Sequence, residues 1–145
     1  MAGNSFQALL TEQDQIGCLS SIASHMHDKS LFIMNTRNTT SDEMRNIDQF
    51  EHWHDFVDDN NRPVKVYGMQ IFDPKTSIVK YTTKRLWQSF ETLTEIELKF
   101  TNLTVLSKIL KQSGLEILET YGNFMKAPFD SLNSNDIILI FKKTL

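Results

Sequence analysis

Residues 114–145, GLEILETYGNFMKAPFDSLNSNDIILIFKKTL, decide the fold. Two apolar runs, 115–121 and 137–141, flank a polar loop and predict closing strands at 115–121 and 136–142. Just upstream, Leu103, Leu106, Ile109 and Leu110 recur at helical spacing. Gly114 follows where a left-handed C-terminal cap is wanted, so a helix is predicted over 103–113.

The front of the chain predicts one more helix and strand. Thr11 is a good N-cap, with Glu12 and Asp14 placed in the first turn, where carboxylates suit the dipole. Ile16, Leu19, Ile22, Ala23 and Met26 then form an apolar stripe, giving a helix over 11–27. Asp28-Lys29-Ser30 interrupts it. LFIM at 31–34 is apolar on both faces and reads as a central strand buried on both sides. Helix then strand is half of a βαβ unit. Residues 35–49 are polar and predict a long loop, with one helical turn near 42–47.

The middle has another texture. Segments 50–58, 64–72, 77–87 and 90–100 are rich in aromatic and β-branched residues. Asp, Asn and Pro in DDNNRP and DPKT separate the first three of them as turns. They predict an antiparallel meander with one face buried and one wet. The expected fold is mixed α/β. Strands near 31–35, 115–121 and 136–142 share one sheet, with helices packed on it in three layers. The chain reads as one domain, 1–145, in which 1–49 and 101–145 form the α/β part and 50–100 an antiparallel insert. No internal repeat is visible.

Composition narrows the function. The chain has 145 residues, 40% of them hydrophobic, and a net charge of −3. That charge argues against broad affinity for nucleic acid or an anionic membrane, since phosphate binding wants a basic surface. No apolar run is long enough to span a bilayer, and no basic stretch followed by an apolar one marks a secretion signal. The single cysteine, Cys18, forms no internal disulfide and fits a reducing compartment. A cytoplasmic domain is expected.

Several side-chain patterns bear on chemistry. The glycines stand at 3, 17, 68, 114 and 122, and none falls in a G-x-G turn of the kind that brings backbone close to a nucleotide. His25/His27 and His52/His54 are H-x-H pairs, and on a strand 52 and 54 share a face. A zinc site needs more convergent ligands, so no metal is expected. Aromatics concentrate in the meander: Trp53, Trp87, Phe50, Phe56, Tyr67, Phe72, Tyr81 and Phe90. Core packing is the expectation for most of them, with Trp53 kept as a pocket candidate. Asp58-Asp59 reads as a solvated turn. Cys18 lacks the neighbouring base and third group that a nucleophile needs.

Taken together, the segments resemble class I S-adenosylmethionine-dependent methyltransferases of small molecules. The resemblance rests on Asn4-Ser5-Phe6-Gln7, the acidic helix at 11–26, LFIMNTRN at 31–38, and the closing GLE…YG…PF…IILIFKK arrangement. Where the family often has a glycine-bearing turn, this chain has Asp28-Lys29-Ser30. The resemblance covers nearly the whole chain but only the family's C-terminal half, a partial Rossmann-like sheet flanked by helices. It implies a substrate-side half of a methyltransferase that lacks the glycine-rich loop for S-adenosylmethionine. It further implies a partner, either a homodimer mate or a separate chain supplying the N-terminal half. By the same resemblance Phe6 lies at the cofactor, and Asn4, Ser5, Gln7, Arg37, Trp53, Tyr67 and Tyr121 lie at the substrate. No catalytic residue is implied. The alternative is a catalytically silent module of that fold, binding a small ligand or serving in assembly.

Overall fold

The computed structural model describes residues 1, 3–40 and 44–144. The chain forms two compact units, Met1–Glu43 with Leu98–Leu145, and Met44–Glu97. The expected helical turn near 42–47 lies partly outside the described residues. From Ile47 onward that stretch is already strand.

The first unit begins with a short 3-10 helix, Ser5–Ala8. Helix α1 (Glu12–His25), strand β1 (Leu31–Arg37), helix α2 (Leu103–Gln112) and strands β6 (Leu115–Tyr121) and β7 (Asp136–Lys143) complete it. The Thr11 hydroxyl accepts from the Asp14 N–H at 3.1 Å and caps α1. Asn102 caps α2 by accepting from the Val105 N–H at 2.9 Å. Gly114 ends α2 with φ of 74°, a left-handed conformation that costs glycine little.

The sheet has the order β1-β7-β6, and both pairs are antiparallel. Ile137, Leu139 and Phe141 of β7 share one face with Met34 and Phe32 of β1. On that face Leu19 and Ala23 of α1 and Leu106, Ile109 and Leu110 of α2 pack into one core with Phe6 and Leu115. Burying side chains of this size stabilises by about 1.5–3 kcal/mol each. A buried polar pair crosses the same unit, with Gln15 Nε2 donating to Thr101 Oγ1 at 2.9 Å.

Two expectations are corrected here. β1 is an edge strand of this chain, not a central one, and it runs antiparallel to its neighbour. Leu31 and Ile33 point away from the core and are 62% and 54% exposed. Both helices pack on one face of the sheet, so this unit has two layers where three were expected. A run of four apolar residues signals burial on both faces, but it does not say whether the same chain supplies the covering layer.

The second unit holds the meander: β2 (Ile47–Val57), β3 (Pro63–Asp73), β4 (Ile78–Leu86) and β5 (Glu91–Lys99), in that order across the sheet. β3 alternates as expected, with Val64, Val66, Gly68 and Gln70 buried and Lys65, Ile71 and Asp73 exposed. The outer strands do not. Apart from Ile47, β2 is exposed on both faces, and β5 is exposed along most of its length. The aromatics are therefore not mainly core. Tyr81 is buried, whereas Phe50, Trp53, Phe56 and Phe90 are 37–43% exposed.

The turn between β2 and β3 is more ordered than a solvated loop. The Asp58 carboxylate accepts from Arg62 Nε at 2.8 Å, the Arg62 N–H at 3.0 Å, the Asn60 N–H at 2.9 Å and Trp87 Nε1 at 3.0 Å. Trp87 stacks on Phe90 with centroids 4.5 Å apart, and Arg62 lies over the Phe90 ring. These bonds, the Arg62 side chain foremost, hold the Asp58 carboxyl well below the usual carboxylate range. A depressed folded pKa means stability that is full above the unfolded value of about 3.9 and fades as pH falls toward the folded one. Asp58→Asn is expected to melt below the wild type at pH 7. The gap should narrow on acidification below the ordinary carboxylate range, and thermal melts by circular dichroism at stepped pH would read it. A gap independent of pH would show that the charge is not what holds the turn.

Candidate functional site

The carboxyl ends of β1 and β6 lie at one edge of the sheet, because both strands run antiparallel to β7 between them. Open α/β sheets bind ligands at this edge. Asn35, Ile138 and Tyr121 are register partners across the three strands, and all lie on the face opposite the helices. Two strand spacings put Asn35 and Tyr121 about 10 Å apart. Arg37 pairs with Asp136 two residues further toward the end.

Asn4 joins this group from the front of the chain. It has φ of 57°, and its Oδ1 accepts from Asn35 Nδ2 at 2.7 Å. The 3-10 helix after it carries Ser5 outward and buries Phe6 and Gln7. Phe6 is part of the hydrophobic core, so its ring offers no open face. Gln7 is fully buried, and neither end of its amide has a hydrogen-bond partner. Asn35 Oδ1 and Thr36 Oγ1 are likewise buried and unpartnered. Four orphaned polar atoms on two neighbouring segments are unusual, since each costs about 1–3 kcal/mol when left unpaired.

The loop between β6 and β7 borders the same edge. Asn38 anchors it, with Nδ2 donating to the Ser131 carbonyl at 3.0 Å and to the Ser134 carbonyl at 2.8 Å. Gly122 packs closely there, since an added Cβ would lie 2.2 Å from Ser134 Oγ and displace that hydroxyl. Phe124 and Met125 on this loop are exposed. The Tyr121 hydroxyl donates to the Glu119 carboxylate, which with burial raises the phenol pKa. Tyr121 is therefore a hydrogen-bonding group at neutral pH and not a base.

The structure thus gathers Asn4, Arg37 and Tyr121 at one edge, with Ser5 and Gln7 on the adjoining turn. Trp53 and Tyr67 belong to the meander and lie on opposite faces of it. The Trp53 ring covers Gly68, where an added Cβ would sit 1.9 Å from it. Tyr67 faces the other way, edge-on to His52 at 5.4 Å and 5.7 Å from Lys84 Nζ. Lys84 also sits 4.5 Å over Phe50. Sequence reading missed Lys84, whose role appears only once three strands are aligned. It also missed Asn38 and Gln15, polar residues whose partners lie far along the chain.

The histidine pair does not share a face. A register shift between His52 and His54 puts His52 opposite Tyr67 and His54 opposite Val66, which point to opposite sides. His52 pairs with Asp55 at 2.7 Å. Among the described residues no three His, Cys, Asp or Glu side chains converge on a possible metal position. Burial pushes the Cys18 thiol pKa up, away from nucleophile behaviour. Among the described residues no helix is long and apolar enough to cross a membrane.

No known family pattern matches the sequence, and no curated protein is similar to it. Solved structures are. The CcbJ methyltransferase from Streptomyces caelestis superposes with a TM-score of 0.81 at 18% identity, over 99% of this chain and 55% of its own. An S-adenosylmethionine-dependent methyltransferase from Clostridium acetobutylicum gives 0.78 at 16% identity, over 98% of this chain and 56% of its own. An amino pentose methyltransferase from Micromonospora echinaspora, solved with S-adenosylmethionine bound, gives 0.68 at 8% identity, over 99% and 56%. The fold is that of about half of an S-adenosylmethionine-dependent methyltransferase. The chain spans little more than half the length of the methyltransferases it matches, which agrees with the reading as a C-terminal half.

The residues present fit that cofactor poorly. The glycines make no G-x-G turn, and the Phe6 side chain is committed to the core. What the edge offers is amides and a guanidinium, groups that orient a ligand by hydrogen bonds. Gln7→Leu, which removes the unpaired amide at similar volume, is expected to stabilise the chain by about 1–2 kcal/mol and raise its melting temperature. A melting temperature that falls would show the amide to be satisfied. Gly68→Ala is expected to displace the Trp53 ring, shift tryptophan fluorescence to longer wavelength, and cost about 1 kcal/mol. Unchanged emission would place the indole elsewhere.

Proposed function

We propose that this chain is the substrate-side half of an S-adenosylmethionine-dependent methyltransferase of small molecules, completed by a polypeptide that carries the glycine-rich half. The observation that carries this reading is the match of nearly the entire chain to little more than half of such enzymes. The unpaired Asn35 and Thr36 oxygens near the carboxyl end of β1, with the Gln7 amide on the adjoining 3-10 helix, support it as polar groups that a ligand or further chain would satisfy.

When bound, the cofactor supplies an electrophilic methyl group. This chain's part is to hold the acceptor. Asn4, Ser5, Gln7, Arg37 and Tyr121 are the proposed substrate contacts at the sheet edge; Trp53 and Tyr67, on opposite faces of the meander, are proposed ligand contacts of the second unit taken by itself, one on each face. The Tyr121 phenol is held above its ordinary pKa by Glu119, away from the range of a general base. Positioning is therefore the main contribution, and positioning alone supplies several kcal/mol in well-oriented reactions, of the order of 7–11 at best.

Isothermal calorimetry tests the reading. S-adenosylmethionine titrated into the chain alone is expected to give no binding heat. Repeated with the protein encoded beside it, the titration is expected to show binding, accompanied by methyl transfer to small amines or alcohols. Absence of binding in both cases would favour a silent module of the same fold. Tight binding by the chain alone would contradict the assignment of the cofactor site to another polypeptide.

A further inference from the structure

The turn cluster of the second unit holds Trp87 as a fixed plate. Its Nε1 donates to Asp58 at 3.0 Å, and its ring stacks on Phe90 with centroids 4.5 Å apart and planes inclined by 10°. The Trp87 N–H donates to the Phe90 carbonyl at 2.9 Å, so the backbone fixes the pair as well. Arg62 lies 5.6 Å from the centre of the Phe90 ring and takes up the Asp58 charge at 2.8 Å. A side chain locked in place before a ligand arrives loses little entropy on binding it.

A cavity of about 250 Å³ borders this plate, lined by Pro63, Lys65, Leu86, Trp87 and Gln88. Phe90 covers one face of the indole and does not line the cavity, so the cavity meets Trp87 on its other side. The stack of Arg62, Phe90 and Trp87 is thus open at its indole end. Lys65 and Leu86 are register partners, which sets an ammonium beside an apolar wall. Asp55, opposite Lys65 on β2, bonds to His52 at 2.7 Å instead. Among the described residues Lys65 has no carboxylate partner. All of these residues belong to the second unit. A clasp between two hairpin ends explains the bonds of Asp58. It explains neither the open side of the indole nor an unpaired ammonium at the same cavity.

We propose that this cavity binds a small planar aromatic carboxylate, its ring stacked on Trp87 and its charge at Lys65. Size and walls select this class. Pockets for drug-sized ligands run from roughly 300 Å³ upward, so about 250 Å³ suits a single ring. Pro63 and Leu86 are apolar walls, and the Gln88 amide is the remaining neutral polar group. A sugar, with a hydroxyl on most of its carbons, would leave several of them unpaired there. An aromatic ring meets indole, proline and leucine, which ask for no hydrogen bonds. A cationic ring would be repelled by Lys65, and the Asp58 carboxylate is already paired with Arg62. The inference stands apart from the methyltransferase reading, since no residue of the sheet edge takes part in it.

Benzoate titrated into the full isotope-labelled chain tests this by NMR. Saturable shifts are expected at the Trp87 indole N–H and at the Leu86 and Gln88 amides, with a Kd of about 1 mM, ordinary for a ligand of so few atoms. Lys65→Gln is expected to weaken binding about fivefold or more, through loss of a charge-assisted contact. Leu86→Glu, which brings a carboxylate to the cavity, is expected to abolish it. Both side chains are exposed, so neither change threatens the fold. Benzylamine and glucuronate, the cationic ring and the anionic sugar, are expected to leave the three resonances in place. The proposal is overturned by the absence of saturable shifts with benzoate, or by equal affinity of Lys65→Gln. Binding of benzylamine or glucuronate as tight as that of benzoate would overturn it too. The readout involves no cofactor, so its failure is separate from a failure to bind S-adenosylmethionine.

Discussion

The first unit depends on β7. It is the strand with a partner on each side, and Ile137, Leu139 and Phe141 along it are fully buried. Those three residues give both helices a common surface to pack on. The same strand sets the levels of its neighbours, so that Asn35 and Tyr121 meet across Ile138. Remove the ladder and the helices lose their shared face, while the polar edge loses its geometry. One antiparallel strand thus links the stability of the unit to the placement of its candidate site.

That site has the character of an unfinished one. Folded proteins pair nearly all their buried polar atoms. Here Gln7, Asn35 and Thr36 leave four such atoms unpaired at the edge where a sheet of this kind meets its ligand. The strand that ends there is bonded on its outer edge by Met1 and exposes Leu31 and Ile33 on one face. The unpaired atoms cost stability in the isolated chain. Such a cost is ordinarily kept where it serves function.

The meander tells a different story. β3 buries one face, whereas β2 exposes aromatics on both and β5 is exposed along most of its length. The Asp58 cluster fixes one turn, and the stack of Trp87 on Phe90 closes beside it. Trp53 and Tyr67, similar as residues and close in the sheet, face opposite sides, because Trp53 lies over Gly68 while its neighbour Tyr67 turns toward Lys84. A set of aromatics that composition would assign to one wall is in fact two separate surfaces.

Much of the local structure was legible in the residues themselves. Thr11 and Gly114 mark helix ends because capping is a matter of a few adjacent atoms. The strands among the described residues follow from apolar and β-branched runs between turn residues. Where the chain's own order was silent was in pairing and exposure. LFIM is apolar on both faces whether its neighbours belong to this chain or another, so only the folded sheet shows β1 at an edge. The H-x-H pair at 52 and 54 keeps its spacing in sequence but loses its common face to a register shift. The bond of Asn4 to Asn35 and the isolation of the Gln7 amide join or separate groups distant along the chain. Sequence alone determined which segments are helix and strand, since those choices rest on neighbouring residues. Tertiary structure decided which edge is open and which polar groups go unpaired, since those depend on contacts between segments far apart.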